Sequence, residues 1–189
     1  FMNLKLPPLY DHHNHLSGHA FFSLGYKISD FSNKGHFLEA LQKLEKDRLH
    51  LFVEHDNAAF PLTSTDLQCS TSVVVLNRSL HGYVLNKAAE KQLYADYSGA
   101  VKTDNPKWVE KNLNFFYQNL FAEMKFGSDL LCKKWDEFKE EGIGKVDDMC
   151  VSPAPLLNMA LASIDDGNAE FWTTLAIYKQ LARKEKEKM

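Results

Sequence analysis

Short β-branched runs alternate with amphipathic helical stretches along this chain, which restricts it to folds in which helices cover a sheet. Residues 50–54 (HLFVE) and 72–77 (SVVVLN) are apolar, rich in β-branched or aromatic residues and bounded by polar loops, so each reads as a strand. Over residues 34–50, Phe37, Leu38, Leu41 and Leu44 recur at helical spacing among Glu39, Gln42, Lys43 and Lys46, which predicts an amphipathic helix. Residues 84–93 read as a short helix and 96–105 as a polar connection. Trp108, Val109, Leu113, Phe116, Leu120, Phe121 and Met124 predict one long helix that starts near Pro106, a favoured first helical position. Gly127 interrupts it. A second amphipathic helix is expected over 128–141, with Leu131, Trp135 and Phe138 on one face, stopped by Gly142 and Gly144. A strand over 145–151 and helices over 153–164 and 166–186 complete the pattern. With an extended stretch at the start and the short 84–93 helix left aside, the order β, α, β, β, α, α, β, α, α predicts a mixed α/β fold.

A length of 189 residues with 44% hydrophobic composition is enough for one well-buried domain and argues against disorder. The 22 basic and 25 acidic residues are interspersed and leave a formal charge of −3, so no field recruits nucleic acid or an anionic membrane. A small molecule or another protein is the expected partner. Cys69, Cys132 and Cys150 are odd in number and far apart, which fits neither a disulfide framework nor a structural zinc finger and points to a reducing cytoplasm. No stretch approaches the roughly 18 apolar residues of a membrane helix, and the start lacks the charged and apolar regions of a secretion signal.

The densest chemistry is Asp11-His12-His13-Asn14-His15, which follows Pro7 and Pro8. Side chains two apart on a strand share a face, so His13 and His15 point the same way and their imidazoles can hold one metal. The alternative is an ordinary surface or core histidine pair. His55 and Asp56 offer a further metal or polar site, since with His13 and His15 they would make a mixed nitrogen and oxygen set that zinc tolerates. A solvated polar turn is the alternative there. Asp147 and Asp148 sit near the end of a predicted strand, where one can face a pocket for acid or base work or serve as a cap.

Residues 6–16 (LPPLYDHHNHL) carry an aspartate ahead of H-x-H and a leucine after it. This resembles the opening strand of the amidohydrolase superfamily. Residues 73–86 (VVVLNRSLHGYVLN) are similar to a segment of the amidohydrolase-3 subgroup, in which an apolar strand leads to a histidine and an asparagine-containing stretch. Residues 141–151 (EGIGKVDDMCV) are similar to its glycine-containing turn and second barrel strand. The resemblance implies a (β/α)8 barrel in which a divalent metal, zinc foremost, activates water for attack on an amide, ester or related C–N bond of a small molecule. It implies His13 and His15 as metal ligands and His81 as a substrate-binding group, and it assigns no catalytic acid or base here.

The remaining ligands in that family, a carboxylated lysine or glutamate, two histidines and an aspartate, come from later strands. All eight histidines here lie in the first 81 residues. A full barrel also takes about 250 residues, or at least about 200. The expectation is therefore the N-terminal part of such an enzyme over residues 1–189, a partial barrel with an inserted β-containing segment over 45–105. Further sequence or a partner chain would complete it. The aromatic series Trp108, Phe115, Phe116, Tyr117, Phe121, Phe126 and Trp135 supplies apolar faces for such association or for self-association. Two other readings stand beside this one. A non-catalytic interaction or regulatory module would keep the ancestral strand without turnover, and an adenosine-deaminase-like hydrolase is suggested by Leu16-Ser17-Gly18 after H-x-H.

Overall fold

A computed structural model describes residues 7–149 and 169–171. In chain order the elements are β1 (Leu9–Asn14), α1 (Leu16–Phe22), β2 (Tyr26–Lys27), a 3-10 turn (Ile28–Asp30), α2 (Lys34–Leu41), β3 (Leu49–His55), β4 (Ser72–Asn77) and β5 (Tyr83–Leu85). They continue with α3 (Lys87–Leu93), α4 (Pro106–Lys111), α5 (Leu113–Glu123), α6 (Ser128–Glu140), β6 (Ile143–Asp148) and β7 (Ala169–Phe171). The fold is mixed α/β with parallel sheets. The chain divides into two compact units, one formed by residues up to Phe21 and from Phe126 onward, the other by Phe22–Lys125.

In the first unit, β6 lies between β1 and β7 and runs parallel to both. Parallel neighbours cannot be joined by a tight turn, so helices must cover their faces. Leu131, Trp135 and Phe138 recur at helical spacing on α6, and Trp135 and Phe138 pack with Leu16 of α1 and Val146 of β6. Gly142 follows α6 with a φ of 89°, a conformation that glycine adopts without strain, and its carbonyl accepts the Leu9 N–H at 2.8 Å. This turn starts the β1–β6 pairing.

The second unit holds a four-stranded sheet in the order β2-β3-β4-β5, parallel except for β5. β3 and β4 are buried on both faces, as expected of parallel strands covered on each side. Phe52, Val73 and Val75 pack with Phe37 and Leu41 of α2, and the Phe37 and Phe52 rings meet edge to face at 5.0 Å. The alternate residues Leu51, Val53, Val74 and Leu76 are also buried, and α3 packs on β4. Asn33, Asn86 and Asn105 cap α2, α3 and α4, each accepting a backbone N–H of the first turn. Each such cap is worth about 1 kcal/mol. The 45–105 segment falls within this unit.

Several elements differ from the pattern read in the sequence. The helix expected over 34–50 stops at Leu41, and β3 begins at Leu49, eight residues later in the chain. The segment 84–93 is split, because Tyr83–Leu85 pairs antiparallel with β4 before α3 starts. The single long helix breaks at Asn112, whose side-chain amide donates to the Trp108 carbonyl at 2.7 Å and competes with the helical ladder. α1 and β2 have no counterpart in the sequence pattern. Ala169–Phe171, expected within a helix, is a strand because β6 offers it an open edge, while the rest of that segment and the helix expected at 153–164 lie outside the described residues. Among the described residues, no helix is long and apolar enough to cross a membrane.

Candidate functional site

Ligands of parallel sheets gather at the carboxyl ends of the strands. β1 and β6 end together, with Asn14 in register with Asp148. His13 is the penultimate residue of β1, and His15 is the first residue beyond it. A register irregularity between Asp11 and Asn14 means that strict strand alternation does not place these side chains. The two rings nevertheless meet, with centroids 5.3 Å apart and planes at 86°. His13 is exposed and His15 half-buried. Nδ1 of His15 is buried and has no hydrogen-bond partner among the described residues.

That orphaned imidazole nitrogen, beside a second imidazole at a strand end, fits a divalent transition ion. Asp11 supports the pair from the same strand. Its carboxylate accepts the His13 backbone N–H at 3.0 Å and the Asn14 side-chain amide at 2.7 Å. The Asn14 hydrogen bond is the main reason its carboxyl is held below the ordinary aspartate range, so it is anionic near neutrality.

The adjacent aspartates of β6 face different surroundings. Asp148 is fully buried and accepts the Ser17 backbone N–H at 2.6 Å, while the Met149 N–H donates to the Asn14 carbonyl at 2.9 Å. Asp147 accepts the Tyr10 hydroxyl at 2.9 Å and lies 3.4 Å from Nδ1 of His12, a ring that is 70% exposed and so forms the rim. The Lys145 ammonium stands 4.5 Å from the Tyr10 ring centre. Nothing in the local sequence marked Asp148 as the anchor of α1, since its partner lies 131 positions away.

His55, Asp56 and His81 belong to the second unit. His55 is buried at the carboxyl end of β3, with Nε2 2.7 Å from the Phe60 carbonyl and Nδ1 3.0 Å from the Asn77 side-chain oxygen. Asp56 is exposed and accepts the Ala58 N–H at 2.9 Å. His81 is exposed in the turn between β4 and β5, where its backbone N–H donates to the Ser79 hydroxyl at 3.3 Å. Among the described residues, no group of three or more histidine, cysteine or acidic side chains stands together as a metal cage.

No family model matches the sequence, and no curated protein does. Among solved structures, the chain is similar to an uncharacterized metal-dependent hydrolase from Pyrococcus horikoshii OT3, with a TM-score of 0.60 and 15% identity over 94% of this chain and 38% of that one. It is also similar to an uncharacterized metal-dependent hydrolase from Pyrococcus furiosus, with a TM-score of 0.54 and 15% identity over 94% of this chain and 40% of that one. The chain therefore spans about two fifths of the length of the structures it matches. At this identity the likeness is one of fold.

Proposed function

We propose that the chain is the N-terminal part of a metal-dependent hydrolase of the amidohydrolase kind, with β1 and β6 as neighbouring strands of a (β/α)8 barrel and Phe22–Lys125 inserted after the first strand and helix. The observation that carries this reading is the meeting of the His13 and His15 rings, 5.3 Å apart, at the carboxyl end of a strand in a parallel sheet. The fold likeness to two proteins described as metal-dependent hydrolases supports it. His13 and His15 would hold the ion, zinc being the expected one. Asp11 orients the peptide that carries them, and Asp148 ties β6 to the helix that follows. A bound divalent ion supplies Lewis-acid polarisation of a carbonyl and a more acidic water, the chemistry needed to cleave an amide, an ester or a related C–N bond of a small molecule. Further ligands are expected from additional strands, supplied by more sequence or by a second chain.

Metal content decides the matter. The purified chain titrated with zinc or cobalt(II) is expected to bind the ion weakly, through two imidazoles, with a cobalt spectrum that His13→Ala and His15→Ala each abolish. If both variants bind zinc as the parent chain does, the assignment is wrong.

A further inference from the structure

The carboxyl ends of β3 and β4 form a concavity that the metal reading of His13 and His15 does not use. It is a cleft of about 330 Å³ lined by His55, Asp56, Asn57, Asn77, Arg78 and Ser79. That volume lies at the small end of the range for ligand sites, about 300–1,000 Å³.

Its walls are fixed from below. The Phe60 carbonyl can only accept, so Nε2 of the His55 ring donates to it at 2.7 Å. On the other side of the ring, Nδ1 lies 3.0 Å from the side-chain oxygen of Asn77. The Arg78 N–H donates to the His55 carbonyl at 2.9 Å, which joins the two strand ends directly. A Cβ at Gly82 would lie 2.7 Å from the Asn77 side-chain nitrogen, so the turn packs tightly on the same amide. Glu54 and Leu80, which bracket the lining segments, both adopt a φ of 61°. Non-glycine residues are strained in that region, and the surrounding structure must over-determine them.

On this rigid base sit two opposite charges that do not close on each other. Among the described residues, neither Asp56 nor Arg78 forms an ion pair, although both line the same small cleft. An arginine guanidinium matches a carboxylate in a two-point fork. A phosphate dianion would meet one cation and also a carboxylate, which disfavours it. A ligand with both charges satisfies both residues.

We infer that this cleft binds a small zwitterion of the α-amino acid class, with its carboxylate on Arg78 and its ammonium on Asp56. The test is a titration of the whole chain with a panel of neutral L-amino acids, followed by backbone amide NMR, with acetate and methylammonium as single-charge controls. At least one amino acid is expected to give saturable shifts at residues 55–57 and 77–79. Arg78→Gln and Asp56→Asn should each weaken it at least tenfold, and only Arg78→Gln should weaken acetate. Both substitutions are at exposed positions, and asparagine retains the acceptor for Ala58, so unchanged spectra elsewhere will verify folding. No saturation by any amino acid, or parental affinity in both variants, overturns the inference. Zinc binding at His13 and His15, measured in the same variants, separates this outcome from the fate of the metal assignment.

Discussion

The buried carboxylate of Asp148 accepts the backbone N–H of Ser17 at 2.6 Å, so the strand β6 caps the helix that follows β1. A charge-assisted hydrogen bond in a dry setting is worth more than an exposed one, because its loss leaves a buried donor unsatisfied. Asp148→Ala is expected to destabilise the first unit by about 3 kcal/mol. Asp148→Asn, which keeps an acceptor, should lose less. Hydrogen exchange at the Ser17 amide reads the effect locally, and parental protection in the alanine variant would refute it.

Asp11 bears on metal binding without being placed as a ligand. It holds the His13 N–H and the Asn14 amide, and so the course of the backbone between the two histidines. Groups that orient ligands typically account for about 10–100-fold in metal affinity. Asp11→Ala should weaken zinc binding about tenfold with no change in the number of ions bound, while Asp11→Asn should do less. Competition with a chromogenic chelator measures both.

Asn86 joins a strand, a loop and a helix. Its side-chain oxygen accepts the N–H groups of Val73 and Ala89 at 3.1 and 2.9 Å, and its amide donates to the Thr71 carbonyl at 2.7 Å. The residue is buried, so water cannot replace these partners. Asn86→Ala is expected to destabilise the second unit by roughly 2–4 kcal/mol, visible as a lower urea midpoint.

Alkaline pH should unfold the second unit through Tyr83 and Tyr94, whose hydroxyls hydrogen-bond to each other. Burial pushes the Tyr94 hydroxyl up to about 12 and raises that of Tyr83 as well, from an ordinary value of 10.0. Between these values the unfolded chain releases protons that the folded chain retains. The stabilisation is therefore complete below about pH 10 and is lost as the pH rises towards about 12. Unfolding free energy measured across that window should fall less steeply in Tyr94→Phe than in the parent chain, and identical slopes would exclude the mechanism.

Much of the secondary structure was legible because its causes are local. Ser72–Asn77 is a strand with the bounds that its run of valines implied, and α6 ends one residue short of the expected limit, at Glu140. What local pattern missed was decided by competing polar groups. Asn112 breaks a continuous helical periodicity by taking a helix carbonyl, and Asn86 ends a strand and caps a helix inside a segment that reads as wholly helical. α1 is not legible in the sequence because its Ser17-Gly18-His19 stretch has weak helical propensity, and β6 supplies its cap.

For the candidate site, the sequence by itself determined that two imidazoles stand two residues apart near the end of a strand, because the chemistry and the spacing are written in adjacent residues. Only the tertiary structure decided that this strand pairs with β6, 137 positions away at the Tyr10–Asp147 contact, and that Asp148 turns inward while Asp147 faces the rim. The tertiary fold also decided that Asp56 and Arg78 share one cleft. Pairing between distant strands depends on which edges remain open and which buried groups find partners, and neither quantity is a property of a local stretch of chain.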